Sequence, residues 1–147
     1  MDQARAVSHR ASSMCPMSQS SESIARDPVQ VSALLRMAFR LMHAWALDTR
    51  QQAILLGVRS PSTVYRWKNH GAKRLRIETL ERINHLFGIH KRLRLLFHHN
   101  PDLARNWVGT PNKAICFGGK RPLDIMLQGT ISDLELVRGY LEQAAGQ

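Results

Sequence analysis

The stretch that decides the fold runs from Asp48 to His70, DTRQQAILLGVRSPSTVYRWKNH. It predicts two short helices joined by a tight turn. Asp48 is placed to accept the first free N–H groups of one helix, and Gln51 three residues later completes a reciprocal cap. Ala53, Leu56 and Val58 supply the apolar packing positions, and Gly57 ends the helix in a left-handed conformation that glycine adopts cheaply. Ser60 then caps a second helix, with Pro61 in the first turn, where a missing N–H costs nothing. This is a helix-turn-helix pattern, in which the second helix normally enters the DNA major groove. The turn through Val58, Arg59 and Ser60 is about one residue longer than the common spacing, and Gln52 stands where an apolar residue is usual.

At about 100° per residue, Val64 and Trp67 share the inward face of the second helix. Ser62, Tyr65, Arg66 and Asn69 fall on the opposite face. These types suit a groove: Arg forks onto guanine, Asn onto adenine, and hydroxyls reach phosphate or base edges. Arg50, Thr63 and Lys68 join them as candidate DNA contacts, with Lys73 and Arg74 in the basic connector that follows. From Arg50 to Arg94 there are eleven Lys or Arg against two acids, Glu78 and Glu81, which carries nine of the chain's ten net positive charges. Positive charge this local, beside a groove-reading helix, is an electrostatic footprint for nucleic acid.

The remaining pattern is helical throughout. Asp27-Pro28 starts a helix carrying Val31, Leu34, Leu35, Ala38, Met42 and Trp45 on one stripe. Phe39, Leu41 and Leu47 extend its apolar surface, an excess that either a homodimer or the C-terminal domain would cover, with the homodimer favoured. Ile77, Leu80, Ile83 and Phe87 predict a further helix closed by Gly88, and Ile89, Leu93, Leu96 and Phe97 the next. Asn100-Pro101 opens a helix through Trp107, Thr110-Pro111 a short one, and Arg121-Pro122-Leu123-Asp124 another, ended by Gly129. Ile131, Leu134, Val137, Tyr140 and Leu141 mark a last helix. Alternating strand patterns are absent, so the expected fold is all-α.

The expected organisation has three parts. Residues 1–26, with seven Ser and few large apolar groups, form a disordered tail. Residues 27–99 form the DNA-binding domain. Residues 100–147 form a small helical domain, in which five Lys or Arg balance five acids. The last suits protein contact, and fragments cut near His99 or Ile77 are expected to separate the two functions. With no run of about 18 uncharged apolar residues and no signal-like N-terminus, a cytoplasmic protein is expected. Enzyme chemistry finds no support: adjacent His98 and His99 should point apart on a helix, Cys15 and Cys116 form no redox or metal pattern, and no cofactor loop stands out.

The landmarks Trp107-Val108, Thr110-Pro111-Asn112, Phe117-Gly118-Gly119, Pro122-Leu123-Asp124 and Gly129, followed by a Leu/Val helix, resemble the toxin-binding domain of MbcA/ParS/Xre-type antitoxins. The VYRWK helix and LERINHLFGIHKRLRLLF are similar to the Xre-like N-terminal part of the same proteins, so the resemblance spans about Val29 to Ala145. It implies a bacterial type II antitoxin paired with a RES-domain toxin, a class that consumes NAD. It also implies repression of its own operon, with operator DNA as the second partner. Toxin contact is then expected on Pro111, Asn112, Phe117, Gly118, Gly119, Lys120 and Arg121, and on the outer face of the last helix. The runner-up is a plain DNA-binding regulator whose C-terminal domain only dimerises it.

Overall fold

The structure is a computed structural model that describes residues 16–146. Among the described residues it is helical without strands. Its elements are α1 (Pro16–Arg26), α2 (Pro28–Ala44), α3 (Thr49–Leu56), α4 (Pro61–His70), α5 (Ile77–Leu96), α6 (Pro101–Asn106), a 3-10 turn (Trp107–Gly109), α7 (Pro122–Met126) and α8 (Ile131–Gly146).

Local chemistry sets most of the boundaries. The Asp27 carboxylate accepts from the Val29 N–H at 3.0 Å. Asp48 and Gln51 form the reciprocal cap expected of them, Gln51 N–H to Asp48 Oδ1 at 2.8 Å and Asp48 N–H to Gln51 Oε1 at 3.0 Å. Ser60 Oγ accepts from the Ser62 N–H at 3.1 Å, and Asn100 Oδ1 from the Leu103 N–H at 3.2 Å. Thr130 and Asp133 make a similar box at the start of α8. Each satisfies donors that the first helical turn leaves free.

Two expectations change. The tail expected over residues 1–26 contains a helix, Pro16–Arg26; residues 1–15 lie outside the described ones. Ala25, 2% exposed, packs into the molecule, and its carbonyl accepts from the Leu75 N–H at 2.9 Å. A long-range contact therefore supplies what the Ser-rich composition lacks. The two helices expected on either side of Gly88 are one, the 20-residue α5. Gly88 does not stop it. A Cβ there would lie 2.6 Å from the Arg138 guanidinium of α8, so the glycine makes room for a neighbour.

At about 1.5 Å per residue α5 is a rod about 30 Å long, and it serves both halves of the chain. Leu80, Ile83, Leu86, Ile89 and Leu93 are buried along it, and the last four belong to a single apolar cluster with Leu35, Ala38 and Met42 of α2, Leu55 and Leu56 of α3, and Leu134, Val137 and Leu141 of α8. Full burial of each such side chain contributes on the order of 1.5–3 kcal/mol. The expectation that fragments cut near His99 or Ile77 separate the functions meets this shared core: either cut exposes apolar surface of α5. Leu41 and Leu47 are likewise buried and Phe39 half-buried, so the excess apolar surface ascribed to α2 is largely used within the chain.

Arg82 of α5 fixes the helix-turn-helix from behind. It is 6% exposed, donates from Nη1 to the Ile54 carbonyl near the end of α3 at 3.4 Å, and pairs with half-exposed Glu78 at 3.1 Å. A cation there meets the negative end of the α3 dipole. Gly57, at φ +73°, leaves the space it fills: a Cβ would approach Arg82 Nε to 2.6 Å. One of the eleven cations counted as basic surface is therefore internal.

Candidate functional site

The reading helix α4 is set against the body by Val64, fully buried, and Trp67, half-buried. That orientation turns Ser62, Tyr65, Arg66 and Asn69 to solvent together, as the 100° spacing required. Thr63 is half-buried at the edge of this face. Ser62 Oγ lies 2.7 Å from Ser60 Oγ, so its hydroxyl is partly engaged by the cap. Arg50 is exposed in the first turn of α3. Lys73 and Arg74 are exposed in the connector between Gly71, at φ +71°, and buried Leu75. Anchoring Leu75 to the Ala25 carbonyl holds the two cations outward. Among the described residues none of Arg50, Arg66, Lys73 and Arg74 has a carboxylate within ion-pair distance, which leaves them available to phosphate. Lys68 is different: its ammonium sits 5.3 Å from the centroid of the Phe39 ring of α2, turned from the face that carries Arg66 and Asn69.

The second candidate surface is the segment from Pro111 to Arg121. No helix starts at Thr110-Pro111. The Asn112 Oδ1 accepts from the Ala114 N–H at 2.9 Å, a side-chain turn that competes with helix formation. The Asn112 N–H donates to the Lys120 carbonyl at 3.0 Å, and the Gly119 N–H donates back to the Asn112 carbonyl at 2.9 Å. Gly118 and Gly119, at φ +58° and +84°, let the chain double back between those bonds. The result is a closed loop clasped at its base.

Phe117 plugs that loop rather than decorating it. It is 2% exposed, edge-on to Trp107 and to Tyr140 of α8, with ring centroids at 5.9 and 5.0 Å. As an exposed anchor for a partner it is excluded, because its ring belongs to the core. What the loop offers outward is Ile115, 99% exposed, with exposed Pro111, Lys113, Cys116 and Lys120. Ile115 was missed by sequence reasoning. Its signal was a lone large apolar residue outside every helical stripe, inside a Pro-Asn to Gly-Gly loop. Arg121 is half-buried and paired with Asp124 at 2.6 Å. That hydrogen bond holds the Asp124 carboxyl below the usual carboxylate range. The pair staples the entry of α7 and leaves Lys113 and Lys120 as the free cations of the loop among the described residues.

His98 and His99, expected to point apart, instead bring their ring centroids to 3.6 Å. They follow the end of α5 at Leu96, where helical spacing no longer separates consecutive side chains. Among the described residues no three His, Cys, Asp or Glu side chains are grouped to hold a metal. No described helix is long and apolar enough to cross a membrane.

Comparison with known proteins finds two family domains in the chain. The antitoxin Xre-like helix-turn-helix domain matches residues 25–88, and the antitoxin Xre/MbcA/ParS C-terminal toxin-binding domain matches residues 92–146. The chain is also similar to the uncharacterised protein y4oB of Sinorhizobium fredii (strain NBRC 101917 / NGR234), 38% identical over 120 residues that cover 82% of this chain and 90% of the relative. The two family domains meet inside α5, the helix whose core is common to both. With a helix-turn-helix domain and a toxin-binding domain in one all-α chain, the protein belongs to the Xre-type antitoxins of toxin–antitoxin systems, which are regulators and not enzymes.

Proposed function

We propose that this antitoxin neutralises a RES-domain toxin that consumes NAD, and represses its own operon through α4. The observation that carries the reading is the pairing of the two family domains in one chain. The RES class follows from the family resemblance of the 107–129 segment. The residues proposed to hold DNA are Arg50, Ser62, Thr63, Tyr65, Arg66, Asn69, Lys73 and Arg74, with Lys68 contributing charge from the flank. Arg66 and Asn69 read base edges, while Arg50, Lys73 and Arg74 take phosphates. A single reading helix covers few base pairs, so a homodimer over half-sites one DNA turn apart supplies the affinity.

Residues 100–147 are assigned to the toxin and 27–99 to DNA, as functional halves that share a core. Ile115 enters an apolar hollow in the toxin, flanked by Pro111, Asn112 and the exposed backbone of Gly118 and Gly119. Lys120 meets acidic groups at the rim, and Arg121, held by Asp124, supports the loop with Phe117 beneath it. An apolar side chain that fills a partner pocket, ringed by contacts that exclude water, has the arrangement of an interface hot spot. The work is done in a bacterial cytoplasm, where operator and toxin are both found.

The test combines DNA and cells. An Arg66/Lys73/Arg74 triple Ala variant should lose operator affinity in a gel-shift titration at physiological salt, yet still restore growth and NAD levels in cells expressing the adjacent toxin gene. Equal operator affinity of variant and wild type, or growth that fails with both, overturns the assignment.

A further inference from the structure

The backbone bond that ties α1 to the connector after α4 gathers three arginines. The Leu75 N–H donates to the Ala25 carbonyl at 2.9 Å. Leu75 is buried between Arg74 and Arg76, which are both exposed, and Arg26, next to Ala25 at the end of α1, is exposed beside them. Among the described residues no carboxylate, Glu22 one turn earlier included, lies within ion-pair distance of Arg26 or Arg76. The other nearby acids are engaged: Asp27 accepts from the Val29 N–H and from Gln30 Nε2, both at 3.0 Å, and Glu78 pairs with Arg82 at 3.1 Å. Arg26 meets the negative end of the α1 dipole, an ordinary place for a cation. Arg76 does the opposite. It stands at the N-cap of α5 and makes no cap hydrogen bond from its side chain, where Ser, Thr, Asp or Asn is preferred. Its charge faces the positive end of that helix. Neither local capping nor pairing within the chain accounts for it.

We propose that Arg26 and Arg76, with Arg74, clamp the DNA backbone beside the major groove, so that the DNA-binding surface extends onto α1. The inference rests on the reading of α4 as the groove-reading helix. The connector leaves α4 at Gly71, where a Cβ would lie 3.3 Å from Ser32 Oγ of α2. It reaches Leu75 four residues later, at most about 14 Å away at 3.3–3.6 Å per residue. The cluster therefore flanks the C-terminal end of the reading helix, beyond Asn69 and Lys73. Phosphates there relieve the mutual repulsion of the three cations, and arginine binds phosphate through charge-assisted, often paired, hydrogen bonds. Such contacts set register and orientation without reading sequence. The Ala25–Leu75 bond gives α1 its part: it holds Arg26 level with the connector. An acidic face of the toxin fits less well, because Arg26 and Arg76 both fall in the helix-turn-helix match at residues 25–88 and outside the toxin-binding match at 92–146.

Fluorescence anisotropy of the full-length protein, with the promoter duplex of its own operon and with an unrelated duplex of equal length, tests this over a range of salt. Each phosphate contact adds about 0.9 to the slope of log affinity against log salt, so Arg26→Gln with Arg76→Gln should lower that slope by about 1.8. Affinity should fall by the same factor on both duplexes, because phosphate contacts carry no sequence. Arg26→Lys with Arg76→Lys keeps both charges and should retain the slope. Lys91→Gln with Arg94→Gln, an equal loss of charge at the other end of α5, should change it by less than about 0.5. The proposal is overturned if the Gln and Lys pairs behave alike, if the loss falls on the promoter duplex alone, or if the α5 control lowers the slope as much. An unchanged slope with loss of the toxin complex also overturns it and gives the cluster to the toxin. The Arg66/Lys73/Arg74 triple Ala variant separates the two levels. If it loses promoter binding while the Arg26/Arg76 change does nothing, the clamp fails and the reading of α4 stands. Wild-type protein that binds neither duplex overturns both.

Discussion

Substitution of Gly57 by Ala probes the joint that aims the reading helix. Two costs arise. Ala must hold φ +73°, which for an L-residue costs about 1–2 kcal/mol. Its Cβ would also stand 2.6 Å from Arg82 Nε and 2.9 Å from Cδ, so the guanidinium has to move. Moving it gives up the bond to the Ile54 carbonyl at 3.4 Å and disturbs the pair with Glu78. A bond from a charged donor is worth about 1.5–3 kcal/mol, and this long one belongs near or below the low end. The Glu78 pair, half-exposed, adds about 0–1 kcal/mol. Gly57→Ala should therefore destabilise by about 2–4 kcal/mol, less a few tenths gained from a stiffer unfolded chain. Arg82→Ala alone should cost a similar amount through the orphaned carbonyl and the lost packing of its stem. In the Arg82→Ala background the clash is gone, so Gly57→Ala should cost only the backbone part. The coupling is about 1–2 kcal/mol, and the unfolded-chain gain cancels from it. Urea unfolding of the four proteins, followed by far-UV circular dichroism, measures it. Costs that add to within about 0.5 kcal/mol would refute the contact.

Three further outcomes are expected. His85 and His90 have imidazole pKa values below the ordinary 6.5, chiefly through burial, with Arg138 and Arg94 respectively adding to it. Just below pH 6.5 the unfolded chain binds more protons than the native one, so stability should fall on acidification through that window. Melting temperatures at pH 7.5 and 5.5 check this, and His85→Gln with His90→Gln should flatten the slope. Ile115→Asp should leave the melting temperature unchanged, since the side chain is 99% exposed, while costing about 2 kcal/mol or more in toxin affinity by calorimetry, as an interface anchor does. A chain truncated after His99 should lose its cooperative melt, because α5 is left without α8. A sharp transition in the fragment would show that the halves fold independently.

What the sequence discloses depends on how far apart the interacting residues lie. The caps at Asp27, Asp48, Ser60 and Asn100 were readable because each hydrogen bond closes within three residues. The exposed face of α4 was readable because helical geometry alone sets it. Gly88 was not, because the residue that needs its missing side chain, Arg138, lies in α8 and no local signal names it. The helix at Pro16–Arg26 is held by a backbone hydrogen bond from Leu75, again far along the chain. Phe117, expected at the toxin contact, is core because Trp107 and Tyr140, which no local signal ties to it, pack edge-on against its ring. Lys68 looked like a phosphate contact by type, but it lies nearer Val64 than the reading face around the helix, and Phe39 accepts it there.

Toxin capture on the loop from Pro111 to Arg121, as proposed, can be checked in cells. Its most direct measurement is co-purification from cells expressing the tagged full-length protein with the product of the adjacent reading frame. The expected result is a stoichiometric complex that survives high salt and is lost with Ile115→Asp. Recovery of the antitoxin alone, or a complex equally strong with Ile115→Asp, would contradict it.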